Sequence, residues 1–203
     1  MKLHDAGEIL ADEARRFAGR GWMLGTAGNL SLRLSENPLR FAITASGKDK
    51  GELAATDVAL AGANGEAVSD GGRPDAPKPS AEAGLHARVY RVADAGAIFH
   101  VHTVSAVAVG ARNLARGYVE IEGLEMLKGI GREAENDLVR VPIIANDQDM
   151  NVLGERFEKA RDPKTPGVIV ASHGLYAWGR DALQARHRVE IFEWLFQYLA
   201  AAR

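Results

Sequence analysis

Residues 97–109, A-I-F-H-V-H-T-V-S-A-V-A-V, constrain the fold more than any other stretch of the chain. The first six read as a strand, and the remainder changes to a helical spacing of small apolar residues. In an extended strand, residues i and i+2 face the same way. His100 and His102 therefore project together, while Phe99 and Val101 pack on the other side. Imidazole fills a core poorly, because its ring nitrogens need partners once buried. The two Cα atoms lie roughly 6–7 Å apart given the strand rise, a separation at which two rings can chelate one metal ion. The competing reading is a pair of strand histidines that cap polar neighbours.

The segments around this stretch alternate between helical and strand periodicity. Leu3, Ala6, Ile9, Leu10, Ala14 and Phe17 recur at helical spacing, and Gly19 and Gly21 end that helix. A tight turn at Gly28-Asn29 precedes a strand in which Leu30, Leu32 and Leu34 alternate with Ser31, Arg33 and Ser35. R-F-A-I-T is a second strand, closed by S-G-K-D-K-G, and residues 60–79 read as turns and loop around one short strand. A helix from Ser80 to about Ala93 follows, with Ser80 as its N-cap. The helix after His102 starts near Thr103 or Ser105. Residues 117–131 are too mixed to assign. V-R-V-P-I-I is a strand, Asp149 to Ala160 a helix, G-V-I-V-A-S and H-G-L-Y-A-W two further strands, and 181–202 a long amphipathic helix. The expectation is one α/β domain over residues 1–203, with no repeat or dividing linker.

Composition narrows the function classes. A 203-residue chain with 46% apolar and 26% charged residues has the balance of an ordinary globular domain. A net charge of −2 gives no support to a nucleic-acid or membrane partner. The absence of cysteine excludes disulfides, iron–sulfur clusters and thiolate zinc sites. The opening M-K-L-H-D-A-G-E is charged too early for a signal peptide, and no run approaches the roughly 20 apolar residues of a membrane span. A cytoplasmic location is expected.

A metal site usually needs a third protein ligand. His4 beside Asp5, and His187 among Arg186, Arg188 and Glu190, read as exposed. His86, four residues after Glu82 on a helix, reads as exposed or as a neighbour behind the ligands. His173 differs, because it ends the apolar strand V-I-V-A-S and precedes Gly174, so it can reach a site built at strand termini. Gly28-Asn29, Ser46-Gly47 and Ser80 sit at turns, where backbone N–H groups and hydroxyls can form an anion nest. The alternative is that they only make turns. Lys48, Lys50 and Lys78 either add positive potential there or are simply solvated.

Five segments in order, G-N-L-S at 28–31, I-T-A-S-G at 43–47, P-S-A-E at 79–82, H-V-H at 100–102 and S-H-G at 172–174, resemble the class II aldolase family along almost the whole chain. The resemblance implies a single-domain fold with a central, mainly antiparallel β-sheet flanked by helices. It also implies one zinc ion per subunit on His100, His102 and His173, which stabilises an enediolate of a sugar phosphate. Asn29, Ser46, Gly47 and Ser80 match the family's phosphate positions, and fourfold-symmetric homotetramers are typical of relatives. Ala81 departs from the aldolase pattern, where a second serine is common.

The segment E-G-L-E-M-L-K-G-I-G from Glu122 resembles one branch of that family, the methylthioribulose-1-phosphate dehydratases of methionine salvage. K-P-S-A-E, N-D-Q-D and S-H-G-L-Y-A-W-G look like the same branch. The implied reaction removes water from 5-methylthioribulose 1-phosphate to give 2,3-diketo-5-methylthiopentyl 1-phosphate. Two glutamates compete as acid/base. Glu82 holds the position of the aldolase acid/base, whereas Glu125 lies in the dehydratase-like segment and is favoured. Glu82 then serves as a second proton carrier or an orienting group. Lys128 pairs with Glu125 or with phosphate. Trp194, Phe196 and Tyr198 read as a core or interface stripe rather than as an aromatic lent to a neighbouring site. The alternatives are an aldolase or 4-epimerase on another sugar phosphate and, outside catalysis, an adducin-like binding module.

Overall fold

The structure, a computed structural model, describes residues 1–69, 75–134 and 137–202. In chain order the elements are α1 (Leu3–Gly19), β1 (Asn29–Ser35), β2 (Arg40–Thr44), β3 (Val58–Ala61), α2 (Ala83–Val92), β4 (Ala97–Val101), α3 (Val104–Asn113) and β5 (Tyr118–Ile121). A short 3-10 helix (Glu125–Ile130) comes next, then β6 (Val139–Ile144), α4 (Met150–Ala160), β7 (Gly167–Val170), β8 (Gly174–Gly179) and α5 (Ala182–Ala201). The strands form one sheet in the order β3-β2-β1-β4-β8-β7-β6-β5. Among the described residues only the β6–β7 pair is parallel, so the sheet is mainly antiparallel as expected.

Alternation along the strands divides the core into two layers. Leu30, Phe99, Leu175 and Ala177 face α1, α3 and α5, where Phe17, Val109, Phe192 and Phe196 pack. Ile43, Ile98, Tyr176 and Trp178 face α2 and α4, where Leu85, Val89 and Phe157 pack. Each strand in the middle of the sheet is covered on both sides, which accounts for runs such as G-V-I-V with no polar residue. Among the described residues, no helix is long and apolar enough to cross a membrane.

Several local expectations change. Ser80 is not the N-cap of α2. The helix starts at Ala83, with Glu82 in the capping position, while Ser80 closes the preceding turn through its carbonyl to the Ala83 N–H at 3.1 Å. The short strand expected within 60–79 is β3, which begins earlier at Val58 because its apolar residues pair with Phe41–Thr44 of β2. The part of that loop at 70–74 lies outside the described residues. The unassigned stretch 117–131 supplies β5 and the 3-10 helix. Of the aromatic stripe on α5, Phe196 is core, but Trp194 and Tyr198 stack on each other and stay about two-fifths exposed, 42% and 43%.

Candidate metal centre and anion pocket

The antiparallel pairing of β4 with β8 sets Val101 opposite Leu175, so the end of one strand meets the beginning of the other. His100 is the penultimate residue of β4, His102 follows its end, and His173 lies in the turn between β7 and β8. That turn is tight. Ser172 takes a left-handed φ of 59°, and a Cβ at Gly174 would run into the Val101 carbonyl oxygen. The turn therefore brings together the three histidines singled out from sequence. His102 Nε2 is 2.8 Å from His100 Nε2, which is 3.3 Å from His173 Nε2. One nitrogen from each lies within 4.8 Å of the other two.

His100 is fully buried, and its Nδ1–H donates to the Leu175 carbonyl at 3.0 Å. That bond leaves the Nε2 lone pair facing the cluster, the tautomer a metal ligand requires. Burial pushes His100 down to about 3 against the pull of Glu82, and burial also lowers His102. Three imidazole nitrogens gathered this closely suit a shared cation, so the set can hold a divalent metal.

Glu82 completes the cluster. Its Oε1 is 3.0 Å from His173 Nε2 and its Oε2 3.4 Å from His100 Nε2. Burial opposes its ionisation, but the adjoining imidazoles of His100 and His173 and the hydrogen bond from Asn29 outweigh this and hold the carboxyl well below its usual range. Asn29 Nδ2 donates to Oε2 at 2.6 Å, and the Tyr176 hydroxyl donates to the same oxygen at 2.7 Å. Register explains this convergence. Asn29 pairs with His100 and His100 with Tyr176, so one row across β1, β4 and β8 supplies all three side chains. The Tyr176 ring also stacks on His100, with centroids 3.9 Å apart.

His86 is not on the surface. It is fully buried on α2, with its Nε2 2.6 Å from Asn29 Oδ1 and its Nδ1 2.7 Å from Ser31 Oγ. Burial lowers it to about 4, so the ring is neutral. Nε2–H then donates to Asn29, while Nδ1 accepts from Ser31, which lies 2.8 Å from the Tyr90 hydroxyl. The line Tyr90–Ser31–His86–Asn29 fixes which face of the amide meets Glu82. Sequence reasoning left Ser31, Tyr90 and Tyr176 out. The signal was present as the four-residue spacing Glu82, His86, Tyr90 on one helix face and the two-residue spacing Asn29, Ser31 on a strand.

Beside this cluster lies a pocket of about 330 Å³, lined by Asn29, Ser46, Gly47, Ser80 and Glu82 together with Lys50 and His102. Four of the residues expected to bind an anion thus share one cavity. Lys128 and Glu125 do not line it. They sit exposed on the 3-10 helix and pair with each other at 2.6 Å. His4 and His187 are exposed, as expected.

The family described as Class II Aldolase and Adducin N-terminal domain matches residues 8–200. A methylthioribulose-1-phosphate dehydratase of Persephonella marina is 39% identical over 194 residues, which covers 96% of this chain and 88% of the relative. The protein of the same name from Geobacillus thermodenitrificans is 40% identical over 189 residues, covering 93% and 88%. Among solved structures, the L-fuculose-1-phosphate aldolase of Thermus thermophilus superposes with a TM-score of 0.74 at 24% identity, covering 99% of this chain and 95% of that one. An aldolase II superfamily protein from Pseudomonas syringae gives 0.77 at 20% identity, covering 99% and 77%. The solved structures share the fold, the sequence match spans nearly the whole length, and the chain belongs to the class II aldolase and adducin family.

Proposed function

We propose that this chain is a zinc-dependent methylthioribulose-1-phosphate dehydratase. The observation that carries the reading is likeness along 93–96% of the chain to proteins of that name, at 39% and 40% identity. The site supports it. One nitrogen from each of His100, His102 and His173 lies within 4.8 Å of the other two, and an all-imidazole donor set suits zinc. When bound, zinc supplies Lewis acidity to adjacent carbonyl and hydroxyl oxygens of the sugar.

In this reading His100, His102 and His173 hold the ion, and the pocket of Asn29, Ser46, Gly47 and Ser80 takes the phosphate. The reaction loses one water. A base removes the C3 proton, an acid protonates the departing C4 hydroxyl, and the enol formed tautomerises to the diketone. Glu82 is anchored by Asn29 and Tyr176 against two of the imidazoles, which suits an orienting group. Glu125 is exposed, with only Lys128 as a polar partner among the described residues. It lies in the segment that resembles the dehydratases, so we assign it the main acid/base role. The reading includes one catalytic domain over residues 1–203, a cytoplasmic location and a homotetramer, as in the relatives that the sequence resembles. The alternative of an aldolase or 4-epimerase draws on the fold alone.

The test is formation of the diketone from methylthioribulose 1-phosphate by zinc-loaded protein. Glu125→Gln is expected to reduce kcat by roughly 100-fold or more with KM little changed. Near-normal turnover would transfer the role to Glu82.

A further inference from the structure

Three of the lysines near candidate functional positions are accounted for. Lys48 is exposed and lies 3.2 Å from Asp57, Lys128 pairs with Glu125, and Lys78 is exposed. Lys50 is different, because it is only 2% exposed. Its Nζ donates to the Thr26 carbonyl at 2.9 Å and the Lys48 carbonyl at 2.8 Å. Among the described residues no carboxylate lies within ion-pair distance of it, and the charges of Asp49 and Glu82 reach it only from farther off. Its backbone N–H adds a bond to the Gly25 carbonyl at 2.8 Å. The residue thus ties the loop before β1, which leads into Asn29, to the loop after β2, which carries Ser46 and Gly47.

An ammonium removed from water costs several kcal/mol unless an opposite charge meets it, and carbonyl dipoles compensate only part of that. An ammonium also has three donors, of which two are used here. Lys50 lines the same pocket as Asn29, Ser46, Gly47 and Ser80. We propose that Lys50 is the fixed positive charge of the anion subsite, and that its counter-ion is the phosphate group of the substrate. This deepens the assignment of the pocket under the proposed function and rests on it. Lys50 has a second role as a positioning residue, since its two carbonyl bonds keep both loops at the spacing of the pocket. The charge that selects a phosphorylated sugar is then a buried lysine of the loop after β2 and not Lys128.

The experiment is a calorimetric titration of inorganic phosphate into the zinc-loaded wild-type, Lys50→Met and Lys50→Gln proteins, with zinc content measured alongside. Glutamine keeps N–H donors for the carbonyls but carries no charge, so it separates charge from clamping. Both variants are expected to bind phosphate roughly 10–100-fold more weakly, the worth of a charged hydrogen bond, with zinc content unchanged. A Lys50→Gln protein with wild-type phosphate affinity overturns the proposal, as does a wild-type protein that takes up no phosphate. Phosphate bound at the metal alone would be indifferent to Lys50, and that result also counts against it. Lys50-dependent phosphate binding in a protein that dehydrates nothing would leave the subsite standing while the reaction reading failed. Dehydration with Lys50-independent phosphate binding would do the reverse.

Discussion

His86 shows how much of the site is decided behind the residues that face it. Its ring has no route to solvent, and both nitrogens are spent on neighbours: Asn29 on one side and Ser31 on the other. His86→Phe would fill much the same space but strand the Asn29 side-chain oxygen, while Ser31 keeps the Tyr90 hydroxyl. Leaving that buried acceptor unpaired costs about 1–3 kcal/mol, to be read as a lower urea midpoint. The Asn29 amide would then be free to turn, and Glu82 would lose a fixed donor. The expected result is lower kcat with zinc content retained. Wild-type kcat in a stably folded His86→Phe protein would show that Asn29 needs no such anchor.

At the scale of elements, the junction of β4 and β8 is the part on which the three-histidine cluster depends. Gly174 opens β8 with its Cα pressed against the Val101 carbonyl, and Gly28 approaches the His100 carbonyl, where a Cβ would sit at 2.8 Å. Gly28 also has a φ of +78°, which other residues adopt at a cost. Gly174→Ala is expected to push β8 away from β4 and lower stability by about 1–3 kcal/mol, with weaker zinc retention measured by chelator competition. Unchanged retention would mean that the two strand ends tolerate separation.

These elements also show what the sequence makes legible. H-V-H could be read because strand alternation is local, and His173 because it ends an apolar run beside a glycine. The burial of Lys50 could not be read, since it depends on Thr26, 24 residues away in a different loop. Tyr176 meets Glu82 across 94 residues of chain. Neither contact has a periodicity. The start of α2 was misplaced because Ser80 is a good capping residue by type, yet its carbonyl and hydroxyl are used in the turn before Ala83. The segment Tyr118–Ile130 defied assignment because it joins a four-residue strand to a 3-10 helix, each too short for its pattern to register.

For the molecule as a whole, the sheet places a three-imidazole cluster and the pocket proposed for phosphate side by side, joined through Glu82 and Asn29. Under the proposed function that layout serves aldolase and dehydratase chemistry alike, because both would begin at a metal-activated sugar phosphate. What divides them is proton traffic after activation, and here the dehydratase-like segment carries Glu125 on an exposed 3-10 helix. Which bond breaks therefore separates the two chemistries. The direct measurement incubates the zinc-loaded protein with methylthioribulose 1-phosphate and, in parallel, with fuculose 1-phosphate, following diketone formation and aldehyde release. Dehydration of the first, lost on zinc removal and restored on its return, with no cleavage of the second, is the predicted result. Cleavage of fuculose 1-phosphate without dehydration of methylthioribulose 1-phosphate would contradict it.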